Sequence, residues 1–271
     1  ELGEDVFYKR EESYFCMIYN YYIDLRLLAN YIYEKSADEY IQDIRVVENT
    51  LTDNQDMGDA ICSYIGDEGV GHDLLQKLLM SNKTHLIQLF ICKTDNLYRN
   101  LQEKMNQFPN RIVFRCKEYG SDIIPSLQAI HYVQKYNLQY IYKFHTKSDK
   151  KWFDDCTDYL LETDPATLKL TSQKKNCVGR EDYYLDINHR SEQIHCIQLK
   201  QRYLHLCDKI QFVKGSMFFC KMEVFTAVLQ FIKQHQSRSW FLNNGYDTNI
   251  VNLDNSPIHF LERLFGIIRV E

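Results

Sequence analysis

Glycine and proline are scarce in this chain, ten and four among 271 residues. So little punctuation excludes collagen-like, low-complexity and linker-dominated architectures. No C-x-x-C pair occurs either, and the nine cysteines (Cys16, Cys62, Cys92, Cys116, Cys156, Cys177, Cys196, Cys207 and Cys220) stand singly. An odd count without framework spacing argues against a disulfide scaffold or a zinc ribbon, and for free thiols in a reducing, cytoplasmic compartment. No apolar run approaches the roughly 20 residues that span a bilayer, and no signal peptide is evident, so no transmembrane segment is expected here. The sequence opens Glu1-Leu2-Gly3 rather than on methionine, as a piece of a longer chain would. Any membrane anchor would lie in parts outside it.

Two phosphate-binding signatures are missing as well. There is no G-x-x-x-x-G-K-[ST] and no G-x-G-x-x-G after a strand-like run, which argues against a P-loop enzyme or a Rossmann dehydrogenase. An Asp-x-Asp pair at a strand end is also lacking, since Asp182 and Asp186 have the wrong spacing and Asp154-Asp155 falls within a helical stretch. The formal net charge of −5 argues against broad binding to nucleic acid, although a local basic pocket can sit on an acidic protein.

What is present is ordinary globular composition, 45% hydrophobic and 25% charged, over enough length for one sizeable core with or without an extension. Tyr, Asn, Lys and Ile are abundant, which suits an AT-rich coding sequence of the kind some large viruses and protists carry. Residues 11–35 contain neither Pro nor Gly and place Phe15, Ile18, Tyr22, Leu25, Leu28 and Ile32 at helical spacing. More helix is expected over 38–47, an acidic connection over 52–71, and a shorter helix over 73–80. We therefore expect residues 1–82 to form a helical extension, whose aromatic first helix could pair with a copy of itself in a homodimer.

The period changes at Lys83. Strand composition over 84–92, 111–116 and 138–145 alternates with helices over 96–107 and 122–136, which implies successive βαβ units and a mostly parallel sheet. Residues 154–162 read as a helix, and a polar, loop-rich excursion runs to about His195. A strand over 209–221 is interrupted by Gly215, where a bulge or the close approach of a ligand is expected. A helix follows over 222–234, and a last helix opens at Ser256-Pro257, with His259, Glu262 and Arg263 on one face.

Residues 138–152, LQYIYKFHTKSDKKW, join a buried-strand pattern to a cluster of cations. At strand period Ile141, Lys143, His145 and Lys147 share one side, and Tyr140, Tyr142, Phe144 and Thr146 the other. Ligands of open α/β sheets bind beyond the carboxyl ends of the strands, so Lys143, His145 and Lys147 are candidates to meet an anion, most simply a phosphate. The alternative is a strand that ends in a solvated loop, the reading preferred for Lys150 and Lys151. Upstream, Gly120 permits a tight turn, Ser121 or Asp122 can cap a helix, and Pro125 suits its first turn. The Asp122 carboxylate is either that cap or a ligand for a sugar or ribose hydroxyl.

Taken in order, EYGSDIIPSL, YIYKFHTKSDKKW, FVKGSMFFCK and HFLERLFGI resemble the rhamnan synthesis protein F family, predicted glycosyltransferases of cell-surface polysaccharide assembly. The likeness covers residues 84–270 and leaves the first third uncovered. It implies an α/β, GT-A-like (Rossmann-type) domain over 83–271. It also implies a hexosyl-type transferase that moves a sugar, rhamnose or another deoxysugar, from a UDP- or dTDP-linked donor to a glycan acceptor. The matching positions are Gly120 and Asp122, His145 and Lys147, Gly215 to Phe218 (Ser216 among them), and Glu262 with Arg263. Lys214 and Phe153-Asp154 depart from the family pattern.

Glycosyl transfer expels a nucleoside diphosphate, whose growing charge must be stabilised. With no Asp-x-Asp in place, Lys147 and His145, with Lys143, are expected to do this without a divalent metal; a weaker alternative has His145 and Asp149 hold a metal between them. Glu262, beside His259, is the candidate base for the acceptor hydroxyl, unless it merely pairs with Arg263. A rival function is a non-catalytic sugar- or nucleotide-binding module that keeps the pocket without turnover.

Overall fold

β1 (Ile44–Asn49) opens the described part of the chain in this computed structural model, which describes residues 44–52, 58–116, 122–186, 211–235, 257–268 and 270. The expected helix over 11–35 lies outside these residues. Where a helix was expected over 38–47, Ile44 onward is a strand paired antiparallel with β4 (Arg111–Cys116). Val46 and Val47 are β-branched and lie on a half-exposed sheet edge, where charged residues recur as they would along a helix. The Glu48 carboxylate pairs with Arg111 and joins the carboxyl end of β1 to the amino end of β4.

The acidic connection also contains structure. β2 (Asp59–Ile65) has Ala60, Ile61 and Cys62 fully buried, so both faces are covered, as befits a central parallel strand. It leads into α1 (Glu68–Met80), capped by the Asp67 carboxylate on the Val70 amide. β1, β2 and α1 thus belong to the sheet-bearing unit, and residue 82 does not separate a helical part from it. β3 (Ile87–Cys92), α2 (Asp95–Met105), β4, α3 (Ile123–Val133) and β5 (Tyr140–His145) follow as the pattern predicts. α4 (Lys150–Glu162) starts four residues before its expected position, because Asp149 caps it through the Trp152 amide. Lys150 and Lys151 therefore stand in an exposed first helical turn rather than in a loop.

After α5 (Pro165–Thr171) the excursion holds two short strands, β6 (Cys177–Val178) and β7 (Tyr184–Asp186). The predicted strand over 209–221 is in fact two, β8 (Gln211–Val213) paired with β7, and β9 (Phe218–Lys221) inserted antiparallel between β5 and β6. α6 (Met222–His235) and α7 (Pro257–Ile267) complete the described elements.

The main sheet has the order β1-β4-β3-β2-β5-β9-β6, with β4, β3, β2 and β5 parallel. From β2 the chain steps outward to β3 and β4, then returns to the far side of β2 as β5. Right-handed crossovers put α1 and α2 on one face during the outward steps and α3 on the other during the return. The two apolar layers agree. Leu74, Leu78, Leu101 and Met105 pack with Ile61, Phe90 and Tyr142 on one face. Ile124, Leu127 and Ile130 pack with Cys62, Leu89 and Ile141 on the other, joined by Phe225 and Phe265. This reversal puts a topological switch point between the carboxyl ends of β2 and β5. Among the described residues no helix is long and apolar enough to cross a membrane, and six cysteines are free and buried.

Candidate functional site

The strand parity expected of β5 holds. Tyr142 and Phe144 enter one apolar layer, while Ile141 enters the other, with Lys143 and His145 at the carboxyl end of that side. Lys143 is fully buried, and its ammonium is paired with the Asp122 carboxylate and donates to the Ser216 carbonyl at 3.1 Å. The Ser216 hydroxyl donates to Asp122 Oδ2 at 2.7 Å. Asp122 stands just before α3, yet makes no capping bond, because its side chain turns inward to these partners. The helix-cap alternative for Asp122 gives way to a buried counter-ion.

Burial works against the charge on Asp122. The fields of His145, when protonated, and of Lys143, with hydrogen bonds from Lys143 and Ser216, outweigh it and hold the carboxyl well below the usual carboxylate range. At neutral pH His145 is uncharged, so Lys143 and Ser216 supply that stabilisation. Cys62, opposite Lys143 in β2, is no second counter-ion, because burial pushes its thiol up to about 12.

His145 Nε2 lies 2.5 Å from the Gly215 carbonyl. A carbonyl only accepts, so Nε2 carries the hydrogen and donates it. Nδ1 stands 3.8 Å from Asp122 Oδ1, too far for a hydrogen bond. Burial first, then the Lys143 and Lys147 charges, lowers the imidazole to about 4 against the pull of Asp122 and the Gly215 carbonyl. A neutral, buried imidazole cannot lend positive charge to a diphosphate, and Lys143 is already neutralised by Asp122. In this arrangement both hold the turn rather than face a ligand.

A histidine whose folded value lies below its unfolded one stabilises fully above the unfolded value, near 6.5. That contribution disappears as pH falls through the folded one. Between pH 6.5 and 4 the native state is expected to lose about 3 kcal/mol through His145. Chemical denaturation at several pH values checks this, and His145→Gln should flatten the profile in that window. Equal slopes for the two proteins would contradict the assignment.

The turn itself is backbone that few residues adopt. Gly215 has φ 77° and Ser216 has φ 54°. The Gly215 amide donates to Glu262 Oε1 from α7, so His145 and Glu262 grip one residue by its carbonyl and its N–H. Arg263, the next residue of α7, is almost fully buried, with its guanidinium over the Phe212 ring at 4.9 Å and Nη1 3.7 Å from Glu262 Oε2. α7 lies so close to β8 that a Cβ on Gly266 would meet the Gln211 carbonyl oxygen at 2.4 Å. Glu262 is thus a tether between α7 and the turn, not a carboxylate poised over open solvent.

Seven of the ten expected site residues, Asp122, Lys143, His145, Gly215, Ser216, Glu262 and Arg263, therefore meet in one continuous polar network. Lys147 stands just beyond it, exposed, with its ammonium 5.4 Å from the Trp152 ring centre. Gly120 lies outside the described residues. His259 is in the first turn of α7, and its side chain likewise lies outside them.

Two contributors escaped the sequence reading. Trp152 covers the Gly215 turn and meets His145 edge-on at 5.7 Å; it was visible only as the end of a cationic run. The β2–α1 junction carries Gly66, Gly69 and Gly71. The Gly66 amide donates to Thr146 Oγ1 at 2.8 Å across the switch point, and the Thr146 amide to the Tyr64 carbonyl at 3.0 Å. A Cβ on Gly71 would sit 2.8 Å from Ile65, so α1 packs tightly on its strand. The available signal was Ile65-Gly-Asp-Glu-Gly-Val-Gly71 directly after an apolar run.

A scan against protein-family models finds no match for this chain, and a search of curated proteins finds none. The class that the structure itself defines is an α/β domain with a mostly parallel sheet, helices on both faces, and a polar network beside its switch point.

Proposed function

We propose that the chain is a GT-A-like glycosyltransferase of the rhamnan synthesis F kind. It would take a UDP- or dTDP-linked sugar at the carboxyl ends of β2 and β5 and pass it to a glycan acceptor. The observation that carries this reading is the convergence of the four resembling segments. Asp122, Lys143 with His145, Gly215 with Ser216, and Glu262 with Arg263 are far apart in sequence, yet they join beside the crevice where α/β sheets bind nucleotides.

On this reading the buried pairs fix the turn, and exposed Lys147 supplies the positive charge that the departing diphosphate needs. Among the described residues no group of three His, Cys, Asp or Glu side chains is gathered as a metal set. The metal-free route remains a proposal that calorimetry with and without Mn²⁺ addresses. A strict Mn²⁺ requirement unaffected by Lys147→Ala would defeat it. Pairing of two copies through residues 11–35 belongs to the same proposal, and light scattering on the full chain checks it.

The engagement of Glu262 favours a second reading. With Oε1 on the Gly215 amide and Oε2 near Arg263, it must let go of the turn before it can accept an acceptor's proton. A module that binds a nucleotide sugar without turning it over needs no such release. A thermal-shift screen across sugar nucleotides, followed by an assay for released nucleoside diphosphate, separates the two. A binder at 100 times its Kd should stabilise the fold by about 2.7 kcal/mol. Binding with release supports the transferase, binding without release across acceptors supports the module, and no shift with any nucleotide sugar removes both.

A further inference from the structure

The buried network spends four side chains on holding one turn, and the side chain that turn presents to solvent is Lys214. Its amide is fixed to the Tyr183 carbonyl at 2.8 Å. Trp152 abuts the next residue so closely that a Cβ on Gly215 would lie 2.2 Å from Cζ2 and 3.1 Å from Cε2. Cη2, at 2.6 Å, is also nearer than Cε2, so the six-membered ring of the indole abuts the turn, one bond from the Nε1 side at Cε2. Lys147 lies over the same ring. Neither lysine has an ion-pair partner among the described residues. The carboxylates packed around them are engaged elsewhere: Asp149 on the Trp152 amide, Asp155 on Arg180 and Tyr183, and Glu262 on the Gly215 amide. Trp152 Nε1 is buried and has no acceptor among the described residues, a donor whose hydrogen bond is still to be made.

We propose that Lys147, over the Trp152 ring, and Lys214, in the turn that abuts that ring, form a diphosphate-binding pair completed by the indole N–H. This rests on the transferase reading for which diphosphate is bound, a nucleoside diphosphate leaving group, but not for the anion site itself. Two ammonium groups suit the two phosphate groups of a diphosphate better than a single carboxylate. Two point charges without a carboxylate clamp also leave the attached group unspecified.

Calorimetric titration of the full chain with inorganic pyrophosphate and with UDP tests this. Lys147→Ala and Lys214→Ala should each weaken both ligands about tenfold and make binding less sensitive to salt, while Lys151→Ala, in the exposed first turn of α4, leaves it unchanged. Trp152→Phe should weaken binding several-fold, with circular dichroism confirming the fold. If wild type binds neither ligand, or Lys214→Ala stays within twofold of it, the pair is overturned. Pyrophosphate binding that needs both lysines, in a protein that binds no nucleotide sugar, would sustain the pair and sink the transferase.

Discussion

Asp122→Ala is expected to lower the stability of the fold by about 3–5 kcal/mol, because it leaves the Lys143 ammonium buried without a counter-charge. For a domain of this size that corresponds to a melting temperature lower by roughly 10 °C. The size of the effect follows from burial. An exposed pair such as Lys150 with Asp73 contributes little, since water and salt screen it. At Lys143 no water competes, and the carboxylate removed is also the acceptor for Ser216. The loss should be present throughout the neutral range. A carboxyl held below its unfolded value contributes fully above that value, near 4, and its contribution vanishes only as pH falls toward its folded one. The Asp122→Ala and wild-type curves should therefore converge in acid. Urea denaturation of both proteins at pH 7 checks the claim; at about pH 3.5, just below the unfolded value, most of the difference should persist. A difference under 1 kcal/mol at pH 7 would mean that Lys143 finds other partners or water. The double variant Asp122→Leu/Lys143→Met sharpens the question, because apolar replacements of a buried pair are often neutral for stability. If it folds as well as wild type yet no longer binds a nucleotide sugar, the pair shapes the site rather than supports the fold.

β5 was legible because alternation leaves a signature: Lys143 and His145 share a parity that Tyr142 and Phe144 do not. The βαβ succession from Ile87 to His145 was legible for the same reason, each strand being apolar and bounded. β2 was not. Ser63 and Tyr64 interrupt its apolar run, and the acidic residues on both sides made Asp59–Ile65 read as connection, although it is the centre of the sheet. β8 and β9 were merged because an apolar stretch with one glycine has the period of a single bulged strand. Nothing local says that Phe212 and Phe219 belong to different sheets.

The candidate site divides along the same line. Its residue types and their order in the chain were readable, whereas their roles were not, since those depend on partners distant in sequence. Asp122 looks like a cap until Lys143 and Ser216 are seen beside it. Glu262 looks like a base until the Gly215 amide is seen to occupy it. The charge on His145 depends on burial and on Asp122 and Gly215, which are distant in sequence, as well as on its neighbours Lys143 and Lys147.

Gly215→Ala should destabilise the protein by about 3 kcal/mol through two separable causes. The first is the backbone. At φ 77° a residue with a Cβ costs about 1–2 kcal/mol more than glycine. The second is steric, because the new methyl would lie 2.2 Å from Trp152 Cζ2, and the indole is held between His145 and Tyr183, with ring centres 5.7 and 5.9 Å away. Overpacking of this kind costs about 1–3 kcal/mol. A double-mutant cycle with Trp152→Leu distinguishes them, since the smaller side chain removes the clash and leaves the backbone strain. The double variant should be more stable than the sum of the single losses by at least about 1 kcal/mol, the coupling expected of residues in contact. Strict additivity would place the whole cost in the backbone. Because Gly215 is gripped by His145 and Glu262, the displaced turn should also move Lys214 relative to Lys147. Gly215→Ala is then expected to weaken pyrophosphate binding even where the protein remains folded, a loss that backbone strain alone does not produce if the turn keeps its place.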